Sequence, residues 1–182
     1  MAERVTPSRV RQHRIRRMKI LIFGNSGSGK STYARRLAEQ HALAYLDLDT
    51  IVWEPGKVAV QRAATAVNAS LEAFMDEYAN WIIEGCYGEL VAVASTYCDE
   101  LVFLNPGREA CLANNARRPW EPHKYASADA QQAMLKNLQA WVADYYDRDD
   151  DWSYCQHRRI FDNHRGAKHE YTEVADMRPG TP

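Results

Sequence analysis

Apolar residues fall along this chain in two patterns that alternate, short unbroken runs and helical stripes. Residues 18–23, Met-Lys-Ile-Leu-Ile-Phe, form a compact apolar run ended by Gly24, as expected of a strand buried on both faces. Residues 31–41 instead place Ala34, Leu37, Ala38 and His41 on one helical face. Residues 43–48 read as a second strand. After the Pro55-Gly56 break, residues 61–80 carry a helical stripe through Val67, Leu71, Phe74 and Tyr78. Residues 81–83 predict a third strand closed by Gly85, residues 90–97 a helix, and residues 101–104 a fourth strand closed by Asn105-Pro106-Gly107. Residues 109–118 predict a helix stopped by Pro119, ahead of a polar, aromatic loop over 120–125. The next helix starts near Asp129, and its Met134, Leu138, Trp141 and Tyr145 have core spacing. A fifth strand is expected within 168–174, and the end at 179–182 is expected to fray. Strands alternating with helices specify an α/β fold with a largely parallel sheet.

Composition narrows the class. The chain has 182 residues, 46% of them hydrophobic and 26% charged, with ten Tyr and five Trp. That is enough apolar mass for one packed domain, which excludes wholesale disorder. No stretch approaches the roughly 20 apolar residues of a spanning helix, so a membrane protein is not expected. The net charge of −1 hides an asymmetry. Residues 1–17 hold six arginines and one glutamate, a net +5, which leaves −6 for the rest. The tail over 1–17 has no apolar stretch after its basic residues, so a secretory signal is not expected. Residues 1–17 read as a disordered basic extension, with nucleic-acid contact as the minority reading. A single domain is expected over 18–176, with a tail at 177–182. Cys86, Cys98, Cys111 and Cys155 have no CxxC spacing, so reduced thiols and a cytoplasmic setting are the default.

The chemistry centres on Gly24-Asn25-Ser26-Gly27-Ser28-Gly29-Lys30-Ser31, which fulfils G-x-x-x-x-G-K-[ST] at every position between a strand and a helix. Glycines let the backbone turn its N–H groups inward around a polyphosphate. The helix that begins at Lys30, Ser31 and Thr32 adds unpaired N–H groups and its positive dipole end. Lys30 has the reach for the β- and γ-phosphates, and the Ser31 hydroxyl suits Mg²⁺. A nucleoside triphosphate with Mg²⁺ is expected.

Acids mark the other half of a site. Asp47-Leu48-Asp49 closes the second strand, and two acids at i and i+2 on a strand point the same way, here toward the crevice beyond the sheet. One can hold a Mg²⁺-bound water while the other orients or deprotonates an acceptor hydroxyl; the alternative is a solvated loop pair. Glu84 follows the third strand. No strand ends in a clear Walker B acid, so the metal-side carboxylate is divided between Asp47 and Glu84.

The loop, its helix and the Asp-x-Asp seventeen residues beyond Lys30 resemble shikimate kinase and its small-kinase relatives. Trp81-Ile82-Ile83-Glu84-Gly85 resembles the strand-acid-glycine element of adenylate kinases. A closer similarity is to FlaR-type topology modulation proteins, through Leu48-Asp49, Trp53-x-Pro55-Gly56, Trp81-Ile82-Ile83-x-Gly85-x-Tyr87 and Leu101-x-Phe103-Leu104. It covers residues 18–118. The resemblance implies a P-loop NTPase fold, a three-layer α/β/α sandwich on a five-stranded parallel sheet of order 2-3-1-4-5. It also implies ATP, an acceptor-binding helical insert and a mobile lid at about 107–128. Lys30 and Ser31 would then be the phosphate and Mg²⁺ residues, Asp49 the acceptor-side carboxylate, and Arg117 and Arg118 the lid pair. Two departures stand out. The earlier lid arginine of adenylate kinases falls on Ala113 or Asn114, and the shikimate kinase glycine triplet is replaced by Gly85-Cys86-Tyr87-Gly88.

The leading expectation is a small kinase that moves the ATP γ-phosphate to a small acceptor, such as a nucleoside or nucleotide, near Asp49. The alternative is a regulatory ATP-binding protein whose basic N-terminus touches nucleic acid. Arg117 and Arg118 read equally well as solvated cations at a helix end, and Arg108 is a weaker candidate. His157, His164 and His169 are expected at the surface, and the acids from Asp144 to Asp151 as a solvated helix end. Residues 166–168 are a candidate base-side loop. Trp53, Tyr87 and Trp120 read as packing residues or as stacking surfaces for an acceptor base.

Overall fold

The computed structural model describes residues 17–57, 60–121 and 125–173. Expectations for residues 1–16, Lys124, Val174 and the tail at 177–182 lie outside the described residues. The order of elements is β1 (Lys19–Gly24), α1 (Lys30–His41), β2 (Ala44–Asp47), α2 (Asp49–Val52), α3 (Ala64–Glu77), β3 (Trp81–Gly85) and α4 (Gly88–Ser95). There follow β4 (Glu100–Leu104), α5 (Arg108–Ala116), α6 (Ala128–Ala143), α7 (Tyr154–Asn163) and β5 (Ala167–Tyr171). All five strands pair in parallel in the order β2-β3-β1-β4-β5.

The strand period of two assigns alternate residues to opposite faces. Ile20, Ile22, Ile82, Val102 and Leu104 face α1, where Ala34 and Ala38 meet them. Leu21, Phe23, Leu46, Ile83, Leu101 and Phe103 face α3, α4 and α7 through Leu71, Val91, Phe161 and their neighbours. The result is three layers with the sheet between two apolar seams. Phe23 and Phe103 stack with centroids 4.9 Å apart, joining the central strands on the second face. Gly85 has no room for a side chain, because an added Cβ would lie 2.9 Å from Leu48 Cβ.

Register sets the position of the site. Ile22 lies opposite Glu84, Asp47 opposite Glu84, and Gly24 opposite Leu104. The carboxyl ends of β1, β2 and β3 therefore finish together, and the loop after Gly24 leaves the sheet beside them.

Three expectations need correction. Helix α7 was not anticipated; Ser153 caps it by accepting from Gln156 N, and it buries His157, Ile160 and Phe161. His157 is therefore a core residue and not a surface one. Tyr154, His157, Ile160 and Phe161 fall at i, i+3, i+6 and i+7, a helical face that carries the histidine inward with the apolar residues. The stripe through Met134, Leu138 and Trp141 is not core either. Of α6 only Val142 is buried, and Met134 is 36% exposed. The amino-terminal half of α6 packs on a polar segment instead, where Gln131 bonds Glu121 N and the carbonyls of Arg118 and Pro119. Tyr145, just past α6, is the buried member of that series. Among the described residues no helix is long and apolar enough to cross a membrane.

Candidate functional site

The loop between β1 and α1 adopts conformations that its glycines permit. Gly24, Gly27 and Gly29 have φ of +148°, +79° and +94°. Gly27 is also sterically required, because a Cβ would stand 2.3 Å from both Asn115 Nδ2 and Cys111 O. Gly29 is the N-cap of α1, which has no capping side chain and no acid in its first turn. The first N–H groups of the helix, on Lys30, Ser31 and Thr32, therefore lack intrahelical acceptors, and their dipole is left for an anion. Lys30 is buried, and its Nζ donates to Asn25 O at 2.9 Å, folded back over the loop. Asn25, also buried, donates through Nδ2 to Val142 O and accepts from Ser26 N. The Ser28 hydroxyl is buried with no hydrogen-bond partner. Positive-φ glycines, an uncapped helix and a lysine together fit a polyphosphate.

The carboxylates divide between the two faces of the sheet end. Asp47 closes β2 and Glu84 lies beside it in β3, where Glu84 Oε1 accepts from Tyr45 O–H at 3.0 Å. Both share the face of α1 with Tyr45 and Ile82, the face on which Ser31 begins its helix. These oxygen donors fit a hard cation held mostly by phosphates, Ser31 and water. Among the described residues no group of three or more His, Cys, Asp and Glu side chains could hold a metal by itself.

Asp49 does not point with Asp47 as a continued strand would require. The strand stops at Asp47, whose Oδ1 accepts from Asp49 N at 2.9 Å, an Asx turn that begins α2. Asp49 Oδ1 instead accepts from Tyr87 O–H at 2.5 Å, and Trp53 Nε1 donates to the same Tyr87 oxygen at 2.6 Å. Cys86 precedes Tyr87 in the chain, just past the end of β3. Burial pushes its thiol up to about 12; Lys30 opposes that rise, while Asp49 and Glu84 add to it. A thiol so far from ionisation is no nucleophile.

Helix α5 rests on the phosphate loop. Asn114 Nδ2 donates to Gly27 O at 2.8 Å, and Ser26 O–H donates to Asn115 Oδ1 at 3.2 Å. Arg118 reaches Ser26 Oγ at 3.5 Å and pairs with Glu121 at 3.4 Å. Arg117 is exposed at the end of α5, so only Arg118 of the pair touches the loop. Arg108 pairs with Asp147. The loop contacts of Asn114 and Asn115 were not anticipated, although two adjacent asparagines inside a helix are a signal in themselves. Arg148 was also missed. Its guanidinium stacks 3.9 Å from the Trp141 ring centroid and donates to the Trp141 and Trp152 carbonyls. Lys168 of the suggested base-side loop donates to Phe161 O and Asp162 O. Asp151 accepts from Glu89 N, so part of the acidic run caps α4.

Behind the site, His157 Nε2 bonds Cys86 O at 3.0 Å and Nδ1 meets Tyr145 Oη at 2.7 Å. A carbonyl only accepts, so Nε2 carries the proton and Nδ1 accepts from the tyrosine. Burial pushes this imidazole down to about 3, with Lys30 and Arg148 adding to the effect, and it stays neutral.

No family model matches the chain. A stretch of 35 residues is 54% identical to adenylate kinase of Pyrococcus horikoshii, covering 19% of this chain and 16% of that protein. The chain thus spans about a sixth of the curated relative it matches. Among solved structures, an unliganded sugar kinase from Janibacter sp. is 18% identical, covers 84% of each chain and superposes with a TM-score of 0.46. Shikimate kinase from Acinetobacter baumannii, in complex with shikimate, is 18% identical over 79% of this chain and 90% of that one, with a TM-score of 0.42. An uncharacterized protein from Eubacterium ventriosum is 15% identical over 87% and 92%, with a TM-score of 0.48. The parallel sheet of order β2-β3-β1-β4-β5, flanked by helices and carrying a glycine-rich loop after β1, is the three-layer α/β/α arrangement expected from the sequence.

Proposed function

We propose that the protein is a small ATP-dependent kinase that transfers the γ-phosphoryl group to a hydroxyl of a small acceptor held beside Asp49. The observation that carries this reading is the common end of β1, β2 and β3, where the glycine-rich loop leaves the sheet beside strands ending in Asp47 and in Glu84-Gly85. Mg²⁺, when bound, would neutralise the phosphate oxygens. Ser31 would hold the metal, with Asp47 or Glu84 on its water shell. Lys30 would leave Asn25 O for the phosphates, and Asp49 would take the acceptor proton. Arg118, already against Ser26, is the better placed of the lid arginines to neutralise charge on the transferred group, with Arg117 beside it. Residues 18–176 would act as one domain in the cytoplasm, with 107–128 as its lid and kinship to the FlaR-type proteins. The basic segment 1–17 favours a second reading, an ATP-binding regulator that touches nucleic acid.

The test is ADP formation from Mg-ATP with D-glucose, adenosine, AMP or shikimate added. One of these raises the rate above the acceptor-free level, and Asp49→Asn lowers it by about 100-fold or more. Rates equal with and without all acceptors would count against the kinase.

A further inference from the structure

The Asp49 carboxylate is held by a two-step chain that no packing requirement explains. Trp53 Nε1 donates to Tyr87 Oη at 2.6 Å, and Tyr87 O–H donates to Asp49 Oδ1 at 2.5 Å. The indole N–H only donates and the phenol has one proton, so the chain can run only from Trp53 through Tyr87 to Asp49. Its members come from two neighbouring strand ends. Trp53 closes α2 after β2, while Tyr87 follows β3 and precedes α4. Tyr87 is 6% exposed, with its ring edge-on to Trp53 and Trp152 at 6.4 and 6.1 Å. A phenylalanine would fill that space as well. The hydroxyl is the part that needs a reason, and its partners supply one.

We propose that Tyr87, itself oriented by Trp53, is the positioning residue that fixes the Asp49 carboxylate toward the acceptor hydroxyl. This rests on the kinase reading above. A hydrogen bond to an ionised acceptor is short and about twice as strong as a neutral one, so one carboxylate oxygen is anchored and the plane of the group is set. Burial and the charge of Asp49 both push the Tyr87 phenol upward, which keeps it a neutral donor. Among the described residues, groups near the turn include Asp47 on β2, Cys86 beside Tyr87, and Arg62, which donates to Ile51 O of α2.

The test uses the full-length ¹⁵N-labelled protein and reads the indole N–H resonance of Trp53, assigned by its loss in Trp53→Phe. Asp49→Asn makes the Tyr87 oxygen a poorer acceptor, because hydrogen bonds in a chain polarise one another, and so moves the Trp53 proton upfield. In a Tyr87→Phe background Asp49→Asn no longer moves it. A Trp53 resonance identical in wild type and Asp49→Asn overturns the proposal, and that comparison stands even if Tyr87→Phe does not fold. With whichever of the four acceptors is turned over, Tyr87→Phe lowers kcat about tenfold or more at unchanged KM for Mg-ATP. The double variant Trp53→Phe/Tyr87→Phe is no slower than Tyr87→Phe alone. A wild-type kcat in Tyr87→Phe overturns the proposal. If none of the four is phosphorylated, the kinase reading fails while the indole shift still decides the role of Tyr87.

Discussion

Gly27 carries two constraints at once, its positive φ and the pressure of α5 against its α-carbon. A Cβ there would meet Asn115 Nδ2 and Cys111 O at 2.3 Å, and the backbone carbonyl cannot turn aside. Gly56 has a similar φ of +72° with nothing among the described residues within 4 Å, and so isolates the backbone cost. Urea denaturation of Gly56→Ala is expected to show a loss of about 1 kcal/mol, and of Gly27→Ala about 2–3 kcal/mol or more. Equal losses would mean that α5 does not press on the loop. Backbone geometry was legible where a motif fixes it, as at Gly24, Gly27 and Gly29. It was not legible at Asp49. The i, i+2 spacing assumes a strand, and the Asp47 side chain ends that strand by bonding to Asp49 N.

At the scale of elements, α5 and α7 support the site from two sides. Helix α5 holds the phosphate loop through Asn114, Asn115 and the adjoining Arg118. Helix α7 supports the turn after β3 through His157, which bonds the Cys86 carbonyl next to Tyr87. Because the folded protein keeps this imidazole neutral down to about pH 3, protons favour the unfolded chain below its usual pKa near 6.5. His157 therefore contributes nothing to pH dependence above about 6.5. Below that value it costs about 1.4 kcal/mol per pH unit. The difference in urea midpoint between wild type and His157→Gln is expected to tilt against wild type from pH 7 to pH 5; parallel midpoints would refute a neutral buried imidazole. Sequence periodicity located α3 through Val67 and Leu71 but missed α7, which packs on the same face of the sheet. It misread α6, where Met134 is exposed and only Val142 is buried. Spacing describes a face and not what covers it.

For the whole molecule, the parallel strands were readable because burial on both faces leaves dense apolar runs, and β1, β3 and β4 are almost wholly buried, whereas the strand order was implied only by the resemblance to small kinases. Strand β5 at the edge is largely uncovered, and so its bounds, Ala167–Tyr171, were the least well anticipated. Charge gives the remaining constraint. Residues 18–182 sum to −6, so the body as a whole repels a polyphosphate and any binding must be local. Backbone N–H groups, Lys30 and Arg118 stand where such binding would occur. A thermal melt of wild type and Lys30→Ala, each with and without Mg-ATP, tests this most directly. Saturating Mg-ATP at about 100 Kd is worth about 2.7 kcal/mol, so wild type should gain several degrees and Lys30→Ala almost none. An equal gain in both proteins would contradict the phosphate loop as the nucleotide site.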